Sequence, residues 1–208
     1  MSRIAPLPES EAGDDVAKTY GRIKEMFGSD DIPEPFLVYG RVGAFLKDFY
    51  MNFKKFVYSE GKLDVRTKTI IALAVSGHYG SSAWLDWTAE RLKSLDGGSD
   101  ELVAEVLAVG ATNAMYNSFF KFRDLSGSDV FSGMSVGLRA HTFAGTSLDD
   151  KTVELINVAI SDLNACKPCT SGHVAKARQL GASDDELLET IQCAATMGAG
   201  CSFLKAAG

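Results

Sequence analysis

Cys166, Cys169 and His173 stand within eight residues of one another in "DLNACKPCTSGH", residues 162–173. Asn164 and Ala165 interrupt the preceding helical pattern, and Pro168 suits a first helical turn, where its missing N–H is no loss. Cys166 is therefore expected at a helix start and Cys169 in its first turn. Unpaired N–H groups and the positive end of the helix dipole stabilise a thiolate there, drawing a cysteine down from its ordinary pKa of about 8.5. A spacing of three also brings the two Cα atoms to roughly 5.5 Å, which an unstrained disulfide prefers. His173 follows Cys169 by four residues on the same helix face, where an imidazole can take or return a thiol proton near neutral pH. Ala177 and Leu180 continue that line as an apolar stripe, so the site should be half-buried, with Lys167, Ser171 and Arg178 facing water.

Other chemistry is open to the same residues. Cysteine is often buried as a small hydrophobe, and a lone histidine on an apolar face can be a satisfied core residue. Cys-x-x-Cys with a nearby His also supplies three zinc ligands, and Glu154, Cys193 or Cys201 could be the fourth. The chain has no second Cys-x-x-Cys and no paired histidines to complete a zinc motif. Haem attachment is excluded, because Thr170 follows Cys169 where a His is required.

Positioning these side chains falls to helices. Apolar residues recur at intervals of three and four almost everywhere, as in "AKTYGRIKEMF" (17–27) and "FLKDFYMNFKKFVY" (45–58), and strand alternation is scarce. "SLDD" at 147 and "SDDE" at 183 place a Ser cap before an acidic first turn, the second forming a capping box from Ser183 to Glu186. Gly28, Gly97, Gly98 and Gly181 mark helix ends, and Pro33 and Pro35 the loop after the first helix. An all-α chain of about ten helices is expected.

An ungapped shift of 85 residues lays Leu63, Asp64, Thr67, Ala74 and Ser76 on Leu148, Asp149, Thr152, Ala159 and Ser161, and Leu95, Asp100, Glu101 and Leu102 on Leu180, Asp185, Glu186 and Leu187. This reads as a diverged helical duplication. Opposite Cys166, Cys169 and His173 the first copy has Ser81, Trp84 and Thr88, so it lacks the motif. The expected organisation is a single all-helical domain, 1–208: N-terminal helices to residue 60, a motif-free copy over 63–122 and a motif-bearing copy over 148–207.

Formal net charge is −6, which argues against the clustered basic face a nucleic-acid partner needs. "MSRIAPLPESEAGDD" turns acidic before any apolar leader core, and no stretch approaches eighteen uninterrupted apolar residues, so neither export nor a membrane is expected. The chain reads as cytoplasmic, where four cysteines argue for redox or metal chemistry rather than structural disulfides.

With Glu154 eleven residues before Cys166, the interval pattern Glu, Cys-x-x-Cys, x-x-x-His resembles the signature of the alkylhydroperoxidase D family, within the carboxymuconolactone decarboxylase superfamily. A looser resemblance runs over residues 60–205, and "RIAPLP" is similar to the N-terminus of longer members. The resemblance implies the family's multi-helix fold and a thiol peroxidase and disulfide reductase needing no metal or other cofactor. In it Cys169 attacks the hydroperoxide, Cys166 closes the disulfide, and Glu154 with His173 relays the proton. It further implies a dithiol or lipoyl-protein reductant, a peroxiredoxin downstream, and a homo-oligomer, trimer or hexamer. Lys167 and Pro168 stand where some members carry a second histidine, so part of the family relay is missing. Thioredoxin-like motifs usually attack with their first cysteine, which leaves the nucleophile open on residue pattern alone.

Glu154 divides the two lines of reasoning. On a helix over 148–163 the apolar stripe runs through Thr152, Leu155, Ile156, Ala159, Ile160 and Leu163, and Glu154 falls nearly opposite, in water. The resemblance instead places it partly buried near His173, and that expectation is adopted. His78 and His141 read as structural, and Cys193 and Cys201 as core thiols. The small residues of "TMGAGCSFLKAAG" favour close helix packing or a subunit contact. Competing functions are the superfamily's decarboxylase branch, which is not built on the cysteine pair, and a zinc-binding or thiol-sensing interaction protein.

Overall fold

The computed structural model describes residues 3–208; Met1 and Ser2, the start of the N-terminal stretch, lie outside the described residues. Ten α-helices and no strand occur among them: α1 (Asp14–Phe27), α2 (Glu34–Tyr39), α3 (Gly43–Phe53), α4 (Val65–Tyr79), α5 (Ser82–Ser94), α6 (Asp100–Leu125), α7 (Asp129–Ser132), α8 (Asp150–Leu163), α9 (Lys167–Gln179) and α10 (Asp184–Ala207). The apolar run expected as one helix to residue 58 leaves α-geometry after Phe53 and continues as a π-helical turn, Lys54–Tyr58. None of these helices is long and apolar enough to cross a membrane.

Short polar caps set where the central helices begin. Asp64 accepts from the Thr67 N–H at the start of α4, and Asp149 from the Thr152 N–H at the start of α8. Ser99 does the same for α6, and Ser183 forms the expected capping box with Glu186 on α10. Ser147, expected to cap α8, instead bonds Glu105, because Asp149 reaches the first turn directly. The run α4–α5–α6 and the run α8–α9–α10 begin 85, 85 and 84 residues apart.

Helices α4 and α8 form the centre, buried over residues 68–76 and 152–161 respectively, and they pack on each other. Helix α6 then covers α8 and α9, while α10 covers α4, so each run lends its last helix to the other. The N-terminal helices close the first run. Phe36, Phe49 and Phe53 surround Trp84, whose indole N–H donates to the Tyr39 hydroxyl, which donates in turn to the Gly200 carbonyl. Trp84 stands where the second run has Cys169, so the place of a cleft in the first run is filled with aromatic core.

Close packing along the C-terminal helix is real at Gly200. A Cβ there would lie 2.5 Å from a Phe49 ring carbon and 2.8 Å from the Tyr39 oxygen. Gly200→Ala is expected to destabilise by about 1–3 kcal/mol through overpacking. A thermal unfolding midpoint equal to wild type would contradict this packing.

Candidate active site

Helix α8 ends at Asn164, and Ala165 takes a left-handed conformation, φ 51°, that turns the chain into α9. Cys166 is the N-cap of α9, its N–H bonded to the Ser161 carbonyl, and Pro168 falls in the first turn. The corner is tied to α6. Asn164 donates to Asn117, Asn117 to Asn113 and Ser161, and Asn113 to Ser161 and the Asn157 carbonyl, while the Lys121 ammonium holds the Asn164 carbonyl. These bonds fix both helices relative to one another.

Cys166 and Cys169 are joined in a disulfide, with Cα atoms 5.3 Å apart. The two sulfurs are not equivalent. Cys169 is 8% exposed and borders a cleft of about 360 Å³, whereas Cys166 is 1% exposed and does not reach it. Tyr116 and Phe120 of α6 form one wall, with Ala140 and Phe143 from the segment that joins the two helical runs. That segment is pinned to α6 by Tyr116, which donates to the Leu138 carbonyl, and by the Thr112–Thr142 hydroxyl pair. His173 borders the same cleft.

Glu154 is 2% exposed and reaches α9, its Oε2 lying 2.6 Å from His173 Nδ1 and its Oε1 2.8 Å from the Lys176 ammonium. Periodicity put this carboxylate in water; burial of α8 on every side reverses that. Burial alone would push the Glu154 carboxyl up, but the bonds from His173 and Lys176 outweigh it and hold the group below the ordinary carboxylate range. An ionised Glu154 requires the proton on His173 Nδ1, which leaves Nε2 free to accept one.

The remaining candidates lie elsewhere. Cys193 and Cys201 are fully buried, and burial raises their thiols to about 12 and about 11. The Cys193 thiol contacts the Lys68 carbonyl. Among the described residues no group of three or more His, Cys, Asp or Glu side chains stands together as a metal site. His78 is exposed beside Tyr79, and His141 opens a short 3-10 turn, Ala144 closing it. Leu180, expected on the apolar stripe of α9, is 36% exposed because the helix has already ended at Gln179.

Two parts of the site escaped the sequence reasoning. Lys176 could have been found, being three residues past His173 and so on its face; the cleft walls from residues 138–143 carry no periodic signal.

The class defined by this arrangement is an all-helical protein with a cysteine pair at a helix start, backed by a buried glutamate bonded to a partly exposed histidine. Residues 132–208 match the carboxymuconolactone decarboxylase family. The chain is similar to alkyl hydroperoxide reductase AhpD of Anaeromyxobacter sp. (strain K), 28% identical over 107 residues, covering 51% of this chain and 58% of that one. AhpD of Acidobacterium capsulatum is 24% identical over 160 residues, covering 75% of this chain and 84% of that one. Uncharacterized protein 4 in cox locus of Paracoccus denitrificans is 41% identical over 64 residues, 31% of this chain and 58% of its own. The chain thus spans under three fifths of the first curated relatives it matches. The C-terminal part of the chain is thus similar to the carboxymuconolactone decarboxylase family, and longer stretches of it are similar to AhpD proteins.

Proposed function

We propose that the protein is a thiol-dependent peroxidase that reduces organic hydroperoxides with the Cys166–Cys169 pair. The observation that carries this reading is that Cys169 alone of the pair borders an apolar-walled cleft, next to a histidine held by Glu154.

In the reduced protein, His173 Nε2 takes the Cys169 proton and the helix start stabilises the thiolate. The Cys169 sulfur attacks the outer peroxide oxygen and the O–O bond breaks. Sulfur is oxidised to a sulfenic acid, and the departing alkoxide leaves as an alcohol with the proton from His173. The Cys166 thiol then displaces water from that sulfenic acid, forming the disulfide. An external dithiol reopens it by exchange and is itself left as a disulfide.

A dithiol or lipoyl-protein is the proposed reductant, with a peroxiredoxin as a further electron acceptor and the cytoplasm as the setting. No metal or other cofactor enters the scheme. Residues 63–122 and 148–207 are read as copies of one three-helix unit in a single domain, supported by helix starts offset by 85, 85 and 84 residues.

Assembly as a trimer or hexamer is expected. Support comes from the exposed apolar side chains of Phe122, Leu125, Val130 and Met134. Sedimentation equilibrium reads this, and a monomeric mass across the micromolar range would contradict it.

Turnover of cumene hydroperoxide with dihydrolipoamide tests the function. Wild type is expected to consume peroxide well above the reagent background, and the double variant Cys166→Ser, Cys169→Ser at background. Equal rates would remove the mechanism. Decarboxylase chemistry is the alternative carried by the family name, and it predicts activity on a muconolactone that survives loss of both cysteines.

A further inference from the structure

Glu154 has two oxygens and α9 fills both, Oε2 with His173 and Oε1 with Lys176. The two donors are three residues apart on one face of α9, so the buried carboxylate sits between them in a single orientation. The motif shared by Glu154, the cysteines and His173 does not include Lys176. At 59% side-chain exposure, Lys176 reaches from the surface to a carboxylate that is otherwise shut away from water.

We propose that Lys176 is a positioning residue for the proton relay: by occupying Oε1 it fixes Glu154 toward His173 Nδ1 and limits how strongly Glu154 holds a protonated imidazole. The proposal rests on the peroxidase reading for its consequence, though not for its geometry. A carboxylate shared with an ammonium attracts the imidazolium less, so removing the ammonium would tighten its hold on the His173 proton and oppose transfer from Cys169.

Other charges around Glu154 are few. Asp150, one turn earlier on α8, adds its charge to that of Glu154 in raising the Lys176 pKa. Helix α6 presents the neutral Asn113 and Asn117, and its Lys121 is held by the Asn164 carbonyl. From α10, Glu186 is paired with Lys151 at the start of α8, and Glu189 with Lys68 of α4.

The test is an NMR titration of the histidine imidazoles in wild type, Lys176→Met, Lys176→Arg and Arg178→Met. Arg178 is a control, a cation on the same helix that pairs with Asp184. In Lys176→Met the His173 midpoint is expected to rise by about half a unit, the scale a half-exposed pair allows. Lys176→Arg restores the wild-type midpoint, and Arg178→Met leaves it in place.

Peroxide turnover in Lys176→Met then falls about threefold on the acid side and recovers at high pH, since half a unit is about threefold in the neutral fraction. A merely structural loss lowers the rate at every pH. An unmoved His173 midpoint in Lys176→Met overturns the assignment even with turnover intact, as does an equal shift in Arg178→Met. A wild type inactive on hydroperoxides, with the midpoint shift present, sinks the peroxidase reading and leaves Lys176 in its place beside Glu154.

Discussion

Cys169→Ser is expected to bring hydroperoxide turnover down at least a thousandfold, to the background of the dithiol alone, while Cys166→Ser keeps one chemical event per molecule. The asymmetry follows from placement. Cys169 borders the cleft with His173, so a serine there leaves no thiolate for the peroxide to meet. Cys166 is sealed behind the α8–α9 corner, and in the proposed scheme it enters only after the sulfenic acid has formed. Its loss stops disulfide formation but not attack, and mixing Cys166→Ser with peroxide and dimedone should label Cys169 once. The reverse pattern, single-event activity in Cys169→Ser, would assign the attack to Cys166 and refute the cleft argument.

Glu189→Ala is expected to have the largest effect on stability. The Lys68 ammonium is fully buried and bonds Glu189 Oε1 at 2.8 Å and the Ser59 carbonyl at 2.9 Å. Glu189 Oε2 accepts from the Leu63 N–H at 2.7 Å. Removing the carboxylate strands a buried cation and a buried N–H, a loss of about 3–5 kcal/mol, against a total stability of about 5–15 kcal/mol. Replacing both partners by Lys68→Met and Glu189→Leu should recover most of that loss, because two apolar side chains leave no charge unpaired.

Acid sensitivity gives the sign of the pair independently. Burial alone would raise the Glu189 carboxyl, but Lys68 and the backbone N–H of Leu63 draw it below the ordinary range. A depressed folded value contributes stability that is complete above the unfolded pKa of about 4.3 and lost as pH falls through the folded one. The gap in unfolding free energy between wild type and Glu189→Ala should therefore narrow across that acid window. A gap that stays constant to the lowest pH would mean the carboxylate is not what stabilises Lys68.

The motif was legible because one helix carries it. Cap, first turn and the next turn are local, so Cys166, Cys169 and His173 could be placed from spacing alone. The helix class and the boundaries around Gly28 and Ser183 were legible for the same reason. Glu154 was not, since a single apolar stripe presumes one buried face, and α8 is surrounded by α4, α6, α9 and α10. Its polar residues Asn157 and Ser161 are buried along with its apolar ones, and Asn113 and Asn117 from a helix some 45 residues away donate to the Ser161 hydroxyl and the Asn157 backbone carbonyl. Such pairing is a long-range fact that periodicity does not encode. Resemblance to a family supplied the Glu154 position instead. Lys68 and Glu189, 121 residues apart, gave no sequence signal for the same reason.

Direct evidence for the dithiol chemistry comes from counting thiols. The chain has four cysteines, all titratable after full reduction and denaturation. One equivalent of cumene hydroperoxide added to the reduced native protein, followed by acid quenching and denaturing titration, should leave two thiols, with one equivalent of the alcohol formed and a Cys166–Cys169 disulfide in the peptide map. Four thiols remaining, with the hydroperoxide intact, would contradict the account.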